Sequence, residues 1–280
     1  MEFQKTLKKE VKVKGVGLHS GKYSEIIFIP APENTGIIFL KENKKIPALI
    51  DYVVDTKRGV TLGNENIEIL TVEHLLSTLF SLRITNLIIN VKGEEIPIFD
   101  GSSIVWIDIF KKAGILRQNL PLKIYTLERP VYEREGKGMI LLFPSFSFSI
   151  NCVISFPNTI LSWQKYFFND IESYEKEIAP ARTFGFWYEI EELKKMGLIR
   201  GANLQNALLV GPDGFINKER FLDEPVRHKI LDILGDFFLL GGYLKANIYA
   251  MSSGHSLHVR IIKKLKEEKV VKERENGRDF

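Results

Sequence analysis

The chain has 280 residues, 45% hydrophobic and 26% charged, a composition that suits a globular protein of one large or two medium domains and excludes a disordered or fibrous one. A net charge of +4, much of it from the C-terminal run, is weak evidence for an anionic partner, and no nucleic-acid motif or Arg/aromatic stripe accompanies it. One cysteine, Cys152, excludes an internal disulfide framework and a cysteine-only metal site, and fits a reducing compartment.

Met1-Glu2-Phe3-Gln4-Lys5 opens charged and polar without a secretory apolar region, so a cytoplasmic protein is expected. Residues 1–30 read as two short strands, Val11 to Val16 and Ile26 to Ile29, around the turn Gly17-Leu18-His19-Ser20-Gly21. His19 there is either a locally hydrogen-bonded turn residue or a side chain placed beside a ligand. Short strands and turns alternate from Gly36 to Gly63, with Asp55 to Leu62 as a polar loop. Thr71-Val72-Glu73-His74 opens an amphipathic helix running to Leu82, with Thr71 as the expected N-cap. A strand over 86–91 and a helix from Ile104 to Ala113 follow, and Gly114 with Pro121 suggests a boundary near 118–122.

The second half starts again with strands at Lys123 to Leu127, Met139 to Phe143 and Phe146 to Ile150. Helices at Trp187 to Met196 and Glu224 to Leu240, and a strand at Ala246 to Ala250, come next. The apolar runs Ile140 to Phe143 and Phe237 to Leu240 are too short to span a bilayer. From Lys263 onward the charge run reads as a solvated helix end and a frayed terminus. This order divides the chain into a first α+β domain over 1–120, a second over 121–270 and a charged tail over 271–280.

The chemistry concentrates in two helices. His228, Asp232 and Asp236 are each four residues apart and so lie on one helical face. A histidine and a carboxylate at that spacing can both reach one zinc or iron ion at roughly 2.0–2.2 Å. Taken alone, the segment fits equally a helix with one buried histidine and two solvated aspartates. The pair Glu73-His74 adds a third ligand, the His74 nitrogen, and a carboxylate suited to taking a proton from water. His74, His228 and Asp232 would hold a metal with one position open, the arrangement of a catalytic site. Both helices carry a histidine near their start and both precede a strand. The expected fold is therefore α+β, a duplication of two sheet-plus-helix-pair halves packed as a sandwich, with the metal where the helices meet.

Five blocks now stand in order: Thr71-Val72-Glu73-His74, Ile96 to Ser102, Ala181-Arg182-Thr183-Phe184-Gly185-Phe186, Val226 to Asp236, and Ser253-Gly254-His255-Ser256-Leu257. With the Gly15 to Gly21 turn they resemble the UDP-3-O-acyl-N-acetylglucosamine deacetylase family, zinc hydrolases of lipid A biosynthesis, over nearly the whole chain. The resemblance implies one catalytic Zn2+ on His74, His228 and Asp232, a site that also suits Fe2+. It implies removal of the N-acetyl group from a UDP-linked acylated glucosamine, with Glu73 as general base. Thr183 would assist at the oxyanion and His255, paired with Asp236, would protonate the leaving amine. Lys229, next to His228, is a cation suited to the oxyanion or a substrate phosphate. A βαβ insert in the second half would hold the acyl chain, and His19, Phe184, Phe186, Glu189 and Ile199 are the implied substrate-binding residues. Gly201-Ala202-Asn203 departs from the Gly-Gly-Ser turn of many members. A monomer with transient contact at the inner membrane, no membrane span and no nucleic-acid partner is expected. A non-catalytic sensor of the same acyl sugars would be expected to carry a damaged metal set, which this chain does not.

Overall fold

Alternation of apolar and polar residues builds the first main sheet. In the computed structural model, which describes residues 2–64 and 66–273, the chain opens with β1 (Phe3–Leu7), β2 (Val11–Val16), β3 (Tyr23–Pro30), β4 (Ile37–Lys41) and β5 (Lys44–Pro47). Ser24, Ile26 and Phe28 of β3 share the buried side, as period two requires. A separate small sheet of β6 (Val53–Asp55), β7 (Thr61–Asn64) and β8 (Ile67–Ile69) leads into α1 (Glu73–Leu82), β9 (Leu87–Lys92) and α2 (Ile104–Ala113). The main sheet has the order β2-β3-β9-β4-β5, with β9 antiparallel to β3 and parallel to β4.

The second half repeats this plan. After β10 (Ile115–Pro121) and β11 (Ile124–Leu127) come β12 (Val131–Glu135), β13 (Gly138–Pro144), β14 (Ser149–Ile154) and β15 (Gln164–Phe168). The short α3 (Tyr174–Glu177) precedes β16 (Phe184–Phe186), α4 (Ile190–Lys195) and β17 (Leu208–Val210), and then α5 (Glu224–Phe238), β18 (Tyr243–Met251), α6 (His255–Glu267) and β19 (Val271–Glu273). Strand β18 is antiparallel to β13 and parallel to β14, as β9 is to β3 and β4. Each half thus runs through four strands, a helix, the central strand and a second helix, with different insertions before the first helix. β16 and β17 pair in parallel on either side of α4, which is the βαβ insert.

The mixed α+β architecture agrees with the sequence reading, and four details differ. β1, unread in the sequence, pairs with β10, more than a hundred residues away, a partner that no local pattern reveals. The stretch read as a boundary at 118–122 lies largely inside that strand. Val271–Glu273, placed in the charged tail, forms a short strand against β11 because β11 offers it a free edge. The expected helix Trp187 to Met196 is one 3-10 turn followed by the short α4.

One apolar core runs through both halves and includes Phe28, Phe39, Trp106, Ile140, Leu142 and Ile248. A smaller cluster of Leu161, Phe186 and Val210 lies under the insert. Every residue from Glu73 to Phe80 of α1 is buried, and so is α5 from Ile230 to Phe238, so these helices meet in the interior. Their close approach depends on Gly235, where a Cβ would lie 2.2 Å from the carbonyl oxygen of Glu73. Gly235→Ala should therefore destabilise the protein by about 1–3 kcal/mol in denaturant melts, despite alanine's better helix propensity. Gly214→Ala, where the added methyl meets open space, should stay within about 0.5 kcal/mol of wild type.

Candidate active site

The first residues of α1 are fixed by the turn before it. Thr71 has φ 59°, and its hydroxyl donates to the Glu95 carboxylate at 2.8 Å instead of capping the helix, so the expected N-cap role falls away and Val72 takes that position. Glu95 also accepts from the backbone N–H groups of His19 (2.9 Å) and Ser20 (2.7 Å). One buried carboxylate thereby ties the His19 turn to the start of α1. At the start of α5, Pro225 fits the first turn, and Glu224 accepts from the Arg182 backbone N–H and guanidinium in a buried pair. That clamp sets the Ala181 carbonyl, which receives the His228 Nδ1–H at 3.0 Å. The tautomer follows, since a carbonyl only accepts, and His228 Nε2 keeps its lone pair.

His228 Nε2 lies 3.4 Å from Asp232 Oδ1, and the His74 and His228 rings are 4.9 Å apart. One donor atom from each of His74, His228 and Asp232 falls within 4.8 Å of the others, and all three residues are buried. Burial and the neighbouring His228 push His74 down to about 3, and burial also lowers His228, so both imidazoles are neutral donors. Burial alone would raise Asp232, but Lys229, His228, His255 and His74 together outweigh it and hold the carboxyl well below its usual range. His74 Nδ1 is buried with no hydrogen-bond partner, an arrangement that costs free energy unless something else engages the ring. Two neutral imidazoles, one firmly ionised carboxylate and an unsatisfied ring nitrogen fit a divalent cation.

A second cluster of Asp236, His255 and His258 looks similar in composition and differs in spacing. Two ligands about 2.0–2.2 Å from a tetrahedral centre lie roughly 3.3–3.6 Å apart, which matches the 3.4 Å edge between His228 and Asp232. In the second cluster both imidazole Nδ1 atoms lie 2.7 Å from Asp236 Oδ2, the distance of a charge-assisted hydrogen bond. Asp236 orients rings here, whereas Asp232 is spaced to hold a metal.

Around the first cluster lie the other residues singled out in the sequence. Burial, against the opposing charge of His255, pushes the Glu73 carboxyl up to about 7, and the Val60 N–H donates to its Oε2 at 3.0 Å. Lys229 Nζ pairs with Asp232 Oδ2 at 2.8 Å, and although burial disfavours the cation, Asp232 keeps it charged. His255 is the first residue of α6, with Nε2 3.9 Å from Asp232 Oδ2; burial opposes its charge, yet Asp236 raises it to about 9.

A cavity of about 260 Å3 opens beside these groups. Its walls include Thr183, Phe184, Phe186, Leu193 and Ile199, with His19 and Arg58 among its polar atoms. The Phe184 ring on its wall is 6.4 Å from that of His228. Ile199 has φ 52°, a strained conformation for a β-branched residue, on the cavity wall. Glu189 pairs with Arg58 at 3.0 Å and does not itself line the cavity. His19 accepts no side-chain partner at Nδ1, while its Nε2 bonds the Arg58 carbonyl at 3.2 Å.

Two buried donor histidines, a buried aspartate and an adjoining carboxylate poised near neutrality make up the side-chain set of a metal-dependent hydrolase. The chain belongs to the UDP-3-O-acyl N-acetylglycosamine deacetylase family, whose model matches residues 4–267. The UDP-3-O-acyl-N-acetylglucosamine deacetylase of Chlamydia pneumoniae is 43% identical over 273 residues, covering 94% of this chain and 97% of its own length. That of Aquifex aeolicus is 42% identical over 267 residues, covering 95% and 93%, and that of Thermodesulfovibrio yellowstonii 38% identical over 269, covering 95% and 92%.

Sequence reasoning missed His258 and Glu95. His258 carried a signal, because it falls three residues after His255 and so shares its helical face, but the Gly254-His255-Ser256 context reads as a loop. Glu95 sits in Gly93-Glu94-Glu95, which reads as an exposed turn, and only the folded chain shows it buried. From the two spacings we expect one zinc ion per chain after loading and removal of excess. His74→Ala and Asp232→Asn should bind far less, and Asp236→Asn close to one equivalent, by elemental analysis. Two ions per wild-type chain, or loss of metal in Asp236→Asn, would make the second cluster a ligand set.

Proposed function

We propose that the protein hydrolyses the N-acetyl amide of UDP-3-O-[(3R)-hydroxyacyl]-N-acetylglucosamine, releasing acetate and the free amine, as the committed step of lipid A biosynthesis. The observation that carries this reading is the convergence beside the α1–α5 contact of a three-residue donor set, a carboxylate with a near-neutral pKa and an imidazole–aspartate pair. His74, His228 and Asp232 would hold a single Zn2+, and the same donors suit Fe2+. A cation held there would lower the pKa of water toward about 7 and polarise the amide carbonyl.

Glu73 receives the proton from the attacking water. The Val60 N–H holds one of its oxygens, which leaves the other to act, and the pKa near 7 makes it basic enough at neutral pH. Thr183 is anchored on both sides, its N–H donating to Gly101 at 2.8 Å and its carbonyl accepting from Leu208 at 2.8 Å. From this fixed backbone its hydroxyl would donate to the developing oxyanion, a contact often worth about 3–4 kcal/mol. Lys229 adds positive charge on the same side. His255 donates Nδ1–H to Asp236, so Nε2–H of the imidazolium is free to protonate the departing amine.

The cavity walls of Phe184, Phe186 and Ile199 take the acyl chain, with His19 at the polar end and Glu189 steering Arg58. Exposed Trp187, Tyr188 and Leu204 near this cavity support transient contact with the inner membrane while the headgroup is processed. The reading is completed by a monomer acting in the cytoplasm.

Glu73→Gln should retain metal and lower kcat by about 10²–10⁴-fold in an acetate-release assay, and near-native turnover would remove Glu73 from the base role. The pH profile of kcat/KM should be bell-shaped. Its rising limb reports Glu73 losing a proton near or below pH 7, and its falling limb reports His255 losing one near or below pH 9, the bound cation drawing both downward. A rate that keeps rising above pH 10 would contradict an acid role for His255.

A further inference from the structure

Asp236 carries two imidazoles on one oxygen. His255 Nδ1 and His258 Nδ1 each lie 2.7 Å from Oδ2, while Oδ1 is buried without a partner. His258 is fully buried, and its Nε2 lies 2.8 Å from Ser253 Oγ, just before α6 begins. An ionised carboxylate only accepts, so both Nδ1 atoms must carry protons. With Nδ1 of a neutral His258 committed as donor, its Nε2 accepts the Ser253 hydroxyl. A directed chain results, from Ser253 O–H to His258 Nε2, from His258 Nδ1–H to Asp236 Oδ2, and from His255 Nδ1–H to the same oxygen.

A carboxylate held through one oxygen to one ring can pivot about its Cβ–Cγ bond, exchanging Oδ1 for Oδ2. The second imidazole removes that freedom, because Oδ2 must stay where both N–H vectors converge. The fixed oxygen in turn fixes the His255 ring, whose Nε2 faces the donor cluster. We propose that His258 is a positioning residue for the deacetylation, locking Asp236 Oδ2 through its Nδ1–H so that His255 is presented to the leaving group in one orientation. The inference rests on the role given to His255 above. Within the described residues no other side chain bonds Asp236.

The test is a matched pair of variants in the full chain. Asparagine places its side-chain N–H where His258 Nδ1–H stood, whereas glutamine reproduces only the Nε2 position. His258→Asn should keep kcat within about threefold of wild type, and His258→Gln should lose about 10–100-fold in kcat with KM within about twofold, as orienting partners of site residues commonly cost. A readout independent of turnover is proton NMR of the imidazole N–H groups. Wild type should show two downfield resonances; His258→Asn should keep the His255 resonance in place, and His258→Gln should shift or broaden it. Equal losses of kcat and melting temperature in both variants would reduce His258 to a packing residue. An unperturbed His255 resonance and near-native kcat in His258→Gln would overturn the proposal. Absence of turnover in wild type would instead count against the deacetylase reading, and the NMR comparison would still decide the role of His258.

Discussion

The contact between α1 and α5 is the constraint on which the molecule depends. It brings a backbone carbonyl against Gly235 at a distance no side chain tolerates, and it forces His74, His228, Asp232, Asp236 and Glu73 into the interior together. Ionised or ionisable groups taken out of water are costly unless each finds an opposite charge or a donor. The two halves meet this demand in a shared way. The repeated plan of four strands, helix, central strand and helix gives each half one buried helix, and the duplicated helices face each other across the molecule's centre.

Charge alternates through the resulting cluster. Lys229 compensates Asp232, His255 compensates Asp236 while the neutral His258 donates to it, and Arg182 compensates Glu224. Among the described residues Glu73 has no cation in contact and one backbone donor, so burial raises its carboxyl while the cations beside the aspartates outweigh burial and lower theirs. In the proposed function the carboxylates of one interior take different tasks according to their partners, one to bind a metal, one to orient rings and one to exchange a proton. The buried Glu95, with neutral donors only, belongs to the scaffold and couples the His19 turn to the first turn of α1.

Much of this was legible in the sequence because it is written in local periods. The spacing of His228, Asp232 and Asp236, the Glu73-His74 pair and the strands around both follow helical and strand repeats, and α2 appears with the limits read for it. What was not legible is non-local. β1 needs β10 to be a strand, Thr71 turns from cap to anchor because Glu95 reaches it, and His258 matters only once His255 is seen to begin a helix. Nothing in a stretch such as Gly93-Glu94-Glu95 distinguishes the carboxylate that faces water from the one that does not.

The central claim is that the donor cluster at the α1–α5 contact carries a metal on which amide hydrolysis depends. Its most direct test is acetate release from UDP-3-O-[(3R)-hydroxyacyl]-N-acetylglucosamine by protein stripped of metal, compared with the same sample resupplied with one equivalent of zinc. The account predicts loss of turnover on stripping and its return with zinc, while His74→Ala stays inactive at that zinc level. Turnover that survives complete removal of metal, or that fails to return while the fold and substrate binding remain intact, would contradict it.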